Sequence, residues 1–267
     1  MKKYISLFRI RFLMGIQYRA AALAGIATQF MWGFMLIMIY HAFYQTDAAA
    51  FPMTMQATVS YIWMQQAFLA MFMPWLTENE IMETIRNGDI AYELCRPISV
   101  YKMWFGKEMA NRLSRAILRC MPILLVGYIL PVPYGIAVPA GVGTFLFFLL
   151  TLMLGFLVMV SLSTLIYVMQ LFLLSPQGLQ AICVSVIDFC SGGIIPIPFF
   201  PDNMKRVLEI LPFGSLQNVP LRVYSGDLAG REMFRAIVVQ LIWLLVLTAL
   251  GEILCRIALR KVRVQGG

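Results

Sequence analysis

Long apolar stretches separated by short polar ones dominate the chain. The longest runs from Cys120 to Ile187 and contains 68 residues without an aspartate, glutamate, lysine or arginine. About 20 apolar residues suffice to cross a bilayer as a helix. This stretch therefore has room for three crossings, with turns at the prolines of residues 131–133 and 175–176. A water-soluble fold cannot bury so much apolar surface, so we predict a membrane protein.

Hydropathy and helix-breaking residues together predict six transmembrane helices. Their ranges are 20–43, 57–75, 116–130, 138–170, 179–195 and 234–257. The fourth is longer than a straight crossing of about 30 Å requires, so we expect it to tilt, to protrude, or to break near Ser161, Ser163 and Thr164. A break would give seven spans. The predicted fold class is an all-α polytopic membrane protein, and residues 1–267 form one membrane domain because no repeat or linker divides them.

Composition supports this interpretation, and the placement of charge predicts a topology. The chain is 61% hydrophobic and 13% charged, whereas a soluble domain carries about 25% charged residues. If the N-terminus is cytoplasmic, 16 of the 21 basic residues fall on the cytoplasmic side. The positive-inside rule therefore favours two cytoplasmic termini and an even number of spans in a bacterial cytoplasmic membrane. The net charge of +8 then reflects topology and membrane lipid, and no nucleic-acid partner is expected.

The first 19 residues spread five basic residues through an amphipathic segment instead of placing them before a compact apolar core. This pattern is not that of a cleavable signal peptide. It predicts a helix that lies on the membrane surface over residues 1–19.

The segment of residues 77–115 mixes six acidic residues with its basic ones, so it is not a simple patch for anionic lipid. From Glu80 to Arg86 the pattern fits a short amphipathic helix that ends at Asn87-Gly88, with Glu83 able to meet Arg86. Such a helix either lies solvated on the membrane or docks into a partner. Periodicity alone leaves both interpretations open.

The fifth predicted span ends at Gly192 and Gly193, which are followed by Pro196, Pro198 and Pro201. A regular helix cannot continue through three prolines in six residues, because each one removes a backbone donor. The segment is either a plain helix end at the outer interface or a broken, re-entrant segment lining an outer gate. We predict an external re-entrant and amphipathic segment over residues 196–232, with Asp202 capping a helix.

Asp188 is the only acidic residue deep in a predicted span. A charged side chain facing lipid there costs about 2.5–3.5 kcal/mol, so we expect it to face the protein interior or the outer interface. A structural hydrogen bond, a place in a translocation path and proton coupling all remain open. Near the inner end of the last span, Glu252 is placed to pair with Arg256 at i, i+4.

Enzymatic patterns are missing from the sequence. The five cysteines have no paired spacing, and the single histidine, His41, has no cluster of ligands around it. No GxxxxGK[ST] phosphate-binding loop occurs. We therefore expect no catalytic residue, no metal site and no cofactor in this chain, and no ATP hydrolysis by the chain alone.

The order of these parts resembles that of ABC type-2 exporter permeases. Two motifs carry the closer likeness to one branch of that family. One is the run of residues 85–99, IRNGDIAYELCRPIS, and the other is SGGIIP at 191–196, continuing to Pro201 and the Leu-Pro-Phe of 211–213. The resemblance covers nearly the full length of the chain.

The resemblance implies a permease that works with a separate ATPase, present in two copies, which holds the ATP and magnesium. It also implies a second permease, either a different chain or a second copy of this one. It favours the docking interpretation and implies that a coupling helix contacts the ATPase through Glu80, Glu83, Arg86, Asp89 and Arg96. The implied translocation path or outer gate consists of Asp188, Gly192, Gly193, Pro196 and Pro198.

Three other functions fit less well. A gradient-driven secondary transporter needs several ionisable groups within the membrane for coupling, and Asp188 is nearly alone. A membrane-embedded enzyme needs catalytic polar groups clustered at one depth, and the sequence lacks such a cluster. A channel or other noncatalytic membrane component remains an alternative, and association with an ATPase separates it from the exporter.

Overall fold

The computed structural model describes residues 2–17, 19–173 and 176–261, and all regular structure within these ranges is helical. The α-helices are α1 Lys2–Gln17, α2 Arg19–Thr46, α3 Met55–Ala67, α4 Leu69–Phe72, α5 Asn79–Asn87, α6 Ile90–Leu94, α7 Val100–Ile129, α8 Val142–Gln170, α9 Pro176–Cys190, α10 Asp202–Ile210, α11 Asn218–Ser225 and α12 Gly230–Lys261. Two 3₁₀ turns lie at Ala48–Ala50 and Ile197–Phe199. The predicted all-helical class is confirmed.

In the described part of the chain, three helices are long and apolar enough to cross a membrane. They cover Ala22–Thr46, Val142–Gln170 and Gly230–Arg260, and the shorter helix Gln177–Cys190 is also apolar. Large apolar side chains cover the outside of these helices, for example Leu23 (67% exposed) and Leu245 (70% exposed). An apolar exterior on apolar helices of this length suits contact with lipid.

Hydrogen bonds define one end of the bundle, which we call the far end. There the indole nitrogen of Trp63 donates to the carbonyl of Tyr134 (2.8 Å), and the amide of Ala137 donates to the hydroxyl of Ser60 (2.9 Å). The hydroxyl of Tyr224 also donates to the carbonyl of Ala137 (3.0 Å). The start of α3, the α7–α8 loop and the end of α11 therefore meet at the far end.

The opposite end, which we call the α1 end, is formed by α1, α5, α6 and the first half of α7. The amide of Ser99 donates to the hydroxyl of Tyr4 (3.1 Å), and the amide of Glu78 donates to the hydroxyl of Tyr167 near the end of α8 (2.9 Å). Gly15 of α1 lies so close to Ser114 of α7 that a β-carbon there would be 2.1 Å from the serine hydroxyl. The N-terminal helix is thus packed against the protein.

The central helix, α8, is continuous over 29 residues, or about 43 Å. Of the three alternatives that the sequence left open for this span, a break near Ser161, Ser163 and Thr164 is not the one observed. The hydroxyls of Ser161 and Thr164 donate to carbonyls one turn earlier in the same helix (2.8 and 2.7 Å), which leaves the helix intact. A helix of this length has to tilt or protrude in a bilayer about 30 Å thick.

Several predicted boundaries differ from the observed ones for physical reasons. The third predicted span is the apolar second half of α7, which begins at Val100 because charged residues also form helix there. The second span is divided into α3 and α4 at Phe68. The predicted cap at Asp202 was wrong, since Pro201 holds the N-cap position of α10. The predicted turn at Ser175 and the basic Arg263 lie outside the described residues.

Candidate functional site

The two short helices α5 and α6 are consecutive in the sequence and lie at the α1 end. The amphipathic helix that the sequence predicted is present as α5, and Gly88 ends it in the left-handed conformation with φ +77°. Only glycine adopts that conformation without a steric cost. The buried side chains Ile81 (0% exposed) and Ile90 (3%) anchor the two helices to the protein.

A single lysine of α7 holds both short helices. The ammonium of Lys107, which is fully buried, lies 3.0 Å from a carboxylate oxygen of Glu80 in α5 and 2.9 Å from one of Glu93 in α6. Glu93 also accepts a hydrogen bond from the indole of Trp104 (2.5 Å), and Arg11 of α1 forms an ion pair with Glu80. Because a buried ammonium needs its carboxylate partners, this lysine ties α5 and α6 to α7.

The environment of Glu80 favours its charged form. Partial burial alone would raise its pKa, but Lys107 and Arg11 together outweigh burial and lower the pKa of this carboxyl below its usual value. Glu80 is therefore an ionised member of an internal cluster.

Immediately after Lys107 in α7, Glu108 forms a second ion pair with Arg112 one turn later, and both side chains are fully buried (2.6 Å). Arg112 also donates to the carbonyls of Met71 (3.3 Å), Met73 (2.8 Å) and Leu76 (2.8 Å) and to the hydroxyl of Ser163 (3.1 Å). The irregular backbone that follows α4 is thus bound to α7 and, through Ser163, to α8.

Tyr167 of α8 completes this network. Its hydroxyl donates to the second carboxylate oxygen of Glu108 (2.9 Å) and accepts the amide of Glu78 (2.9 Å). Residues that precede α5 are therefore linked through α7 to α8 by hydrogen bonds that are buried or partly buried. Buried charged groups with every partner satisfied make a rigid junction.

The outward surface of α5 and α6 carries the other predicted coupling residues. Glu83, Arg86, Asp89 and Arg96 are exposed, and within the described residues none of them forms a salt bridge. The Glu83–Arg86 pair that spacing allowed is not formed. Tyr92 (73% exposed) and Leu94 (44%) lie among them in the sequence. We call these exposed residues of the 83–96 stretch, namely Glu83, Arg86, Asp89, Tyr92, Leu94 and Arg96, the coupling surface.

At the other predicted site, residues 191–217 pass into the bundle from the far end. The side-chain amide of Gln65 donates to the carbonyls of Gly193 (2.7 Å) and Gly192 (3.3 Å). Gln240 in α12 donates in the same way to the carbonyl of Ser215 (2.9 Å). Both glutamines lie ten residues from the far-end start of their helix, or about 15 Å. Side-chain donors thus satisfy irregular backbone inside the bundle.

The predicted gate residues lie together at this turn. Gly192 has φ +80°, and a β-carbon there would lie 3.1 Å from the hydroxyl of Tyr61. A β-carbon on Gly193 would lie 2.5 Å from a carboxylate oxygen of Asp188, which is half-buried. Pro196 and Pro198 are buried. The turn is therefore packed too closely for larger residues.

A family model described as "ABC-2 family transporter protein" matches residues 30–266 of the 267. The chain belongs to the ABC-2 transporter family. The resemblance that the two sequence motifs indicated is thereby confirmed. A search of curated proteins gave no match.

As a member of the ABC-2 family, the chain is a membrane-embedded component of an ABC transporter and is not itself the catalytic subunit. Membership also implies a partner ATPase. Within the described part of this ABC-2 protein, the predicted coupling residues divide into a set without salt bridges and Glu80, which is half-exposed and paired with Lys107 and Arg11.

Sequence reasoning did not single out Lys107, Arg112 or Tyr167 of this ABC-2 protein. One signal was present, since Glu108 and Arg112 have the i, i+4 spacing of a helical ion pair at the entry to an apolar stretch. Tyr167 gave no such signal, because its partners are 59 and 89 positions away in the sequence.

Proposed function

We propose that this chain is the permease of an ATP-driven exporter and that its coupling surface contacts a separate ATPase. The observation that carries the proposal is that the exposed charges of α5 and α6 are mounted on a buried ionic junction with α7 and α8. Glu83, Arg86, Asp89 and Arg96 are the proposed contacts. Glu80 has a different role, because it joins α5 to Lys107 and Arg11.

The junction supports transmission of force into the membrane helices. A displacement of α5 or α6 would pull on Lys107, and separation of Glu93 from its ammonium would leave a buried carboxylate without its cation. It is therefore less costly for α7 to follow as a rigid unit than for the junction to break. Closure of two ATPase subunits would rearrange the permease pair by such rigid-body movements.

The order of contacts supports six crossings with both termini in the cytoplasm. Helices α2, α3–α4, α7, α8, α9 and α12 run alternately between the α1 end and the far end. The α1 end also holds the basic N-terminal helix, as the positive-inside rule requires of a cytoplasmic face. We place this face in the cytoplasm of a bacterial cell.

The re-entrant segment supports the assignment of an outer gate. Irregular backbone at membrane depth is tolerated where protein supplies its hydrogen bonds or where it lines a cavity. Gln65 and Gln240 supply them here. We propose that Asp188, Gly192, Gly193, Pro196 and Pro198 belong to the translocation path, which a second permease, either a different chain or a second copy of this one, would complete.

The test is purification of the full-length chain from its native membrane in mild detergent, with mass spectrometry of the proteins that accompany it. We expect an ATPase in the wild-type preparation and at least a tenfold loss of it in Arg86→Glu and Arg96→Glu. Arg206→Glu is the matched control, because Arg206 is an exposed arginine on another short amphipathic helix, α10.

Retention of the ATPase by both charge-reversal variants would refute the coupling surface while leaving the exporter intact. If no ATPase accompanies even the wild-type chain, the exporter proposal loses its support, and a channel component or a gradient-driven transporter takes its place. Equal loss in Arg206→Glu would show that the effect is not specific to α5 and α6.

A further inference from the structure

A cavity of about 420 Å³ opens at the α1 end between α1, α2 and α7. Three arginines line it, Arg11, Arg115 and Arg119, together with the amides of Asn79 and Asn111. A cavity rich in guanidinium and amide donors has the composition of a site for a phosphate group.

Two of the arginines lack an internal counter-ion. Arg11 is paired with Glu80, whereas within the described residues Arg115 and Arg119 form neither a salt bridge nor a side-chain hydrogen bond. The Nε atom of Arg119 is buried and has no acceptor among the residues that the structure describes. The two guanidinium groups are one helical turn apart, and like charges at this spacing repel each other. An anion between them would relieve both problems.

Glu78 is the carboxyl group that faces this cavity. Burial and the neighbouring Glu108 raise the pKa of Glu78 to about 7. At neutral pH this group is therefore only about half ionised, so it offsets less than one of the two unpaired positive charges. The cavity keeps a net positive charge.

The surroundings of the cavity indicate where its anion comes from. Met14 and Ala22 contribute to its lining, and the neighbouring surfaces of α1 and α2 expose large apolar side chains, among them Ile10 (57% exposed), Leu13 (50%) and Leu23 (67%). A small soluble anion would leave this apolar surface uncovered. Acyl chains would cover it, with their headgroup in the cavity.

We propose that this cavity binds the phosphate group of an anionic phospholipid, with Arg115 and Arg119 as its principal donors. Basic pockets between membrane helices are suited to anionic headgroups. Such a lipid would hold α1 against α2 and α7, since the cavity lies where the three helices meet. The proposal rests on the membrane location of the protein and is independent of the ATPase contact.

The test is native mass spectrometry of the purified full-length chain with equimolar phosphatidylglycerol and phosphatidylcholine. We expect the wild-type protein to bind phosphatidylglycerol at least about tenfold more tightly, because both lipids carry a phosphate but only phosphatidylglycerol has a net negative charge to offset the two unpaired guanidinium groups. Arg115→Gln/Arg119→Gln should lose this preference. Lys102→Gln, which removes an exposed charge of α7 outside the cavity, should keep it.

Equal retention of the two lipids by the wild-type protein, or an unchanged preference in the double glutamine variant, would overturn the proposal. Displacement of phosphatidylglycerol by millimolar inorganic phosphate would assign the cavity to a soluble phosphate instead. If the glutamine variant does not fold, Arg115→Lys/Arg119→Lys provides the second measurement. It keeps the charge but loses the bidentate geometry, so the preference should weaken without vanishing, and an unchanged preference would count against the site.

Discussion

Replacement of Arg112 by methionine tests the buried junction directly. Methionine keeps an unbranched apolar stem but is shorter than arginine and removes every donor of the guanidinium. The substitution leaves Glu108 as a buried carboxylate without its ion-pair partner and leaves three backbone carbonyls without their donor. We expect a large loss of stability with little change in packing volume.

The magnitude follows from the burial of both partners. Removing one member of a buried ion pair costs about 3–5 kcal/mol, because the remaining charge stays desolvated. Arg256→Met is the matched comparison, since Arg256 and Glu252 form the pair that the sequence predicted, also at i, i+4 (2.8 Å). The Arg256 side chain is 72% exposed, and an exposed helical pair contributes only about 0.3–0.5 kcal/mol.

The assay is thermal unfolding of the two variants and the wild-type protein in the same detergent, followed by tryptophan fluorescence. A difference of about 3 kcal/mol corresponds to a drop of roughly 10 °C in the midpoint for a chain of this size. We expect that drop for Arg112→Met and almost none for Arg256→Met. Equal midpoints for the two variants would refute the argument that burial of the Glu108–Arg112 pair makes it structurally important.

Two further substitutions test other features of the structure. Gly192→Ala forces a side chain into the left-handed conformation near Tyr61 and should lower the free energy of unfolding by at least about 1–2 kcal/mol. Gly178→Ala in helix α9 is the control, because a β-carbon there meets open space, and it should leave the free energy of unfolding unchanged or raise it. Compared with the wild-type protein at the same pH, Glu78→Gln should have an equal free energy of unfolding near pH 4 and a higher one above pH 7, by at most about 3 kcal/mol. The reason is that the raised pKa of Glu78, about 7, makes wild-type stability fall as the pH rises from about 4.5 through 7. A pH-independent difference between Glu78→Gln and wild-type would contradict this assignment.

The sequence predicted the helical class and the approximate positions of the apolar helices because hydropathy depends on composition within a window. It did not indicate the first sixteen residues of α7, since Val100 to Arg115 is helical without being apolar. It left open a break in α8 because hydroxyl residues often interrupt helices. Here Ser161 and Thr164 bond to their own helix instead, a choice that only the surrounding packing decides.

At the candidate site, the end of a helix was predictable from a local signal, whereas contacts between distant residues were not. The end of α5 at Gly88 was predictable because a glycine after an amphipathic run is a local signal. The ion pair of Glu80 was not predictable, since its partner Lys107 lies 27 positions later in the sequence. The same holds for the insertion of residues 191–217, which depends on Gln65 and Gln240 in other helices.

The shared ammonium of Lys107 bears on how such permeases can be re-engineered. Transplanting residues 79–97 into a related protein, in order to exchange its ATPase, would move Glu80 and Glu93 away from the lysine that neutralises them. The graft would then carry two carboxylates whose cations, Lys107 and Arg11, lie outside the transplanted segment. A working chimera has to include Lys107, and Arg11 with it, so the smallest exchangeable module of this protein is discontinuous in sequence.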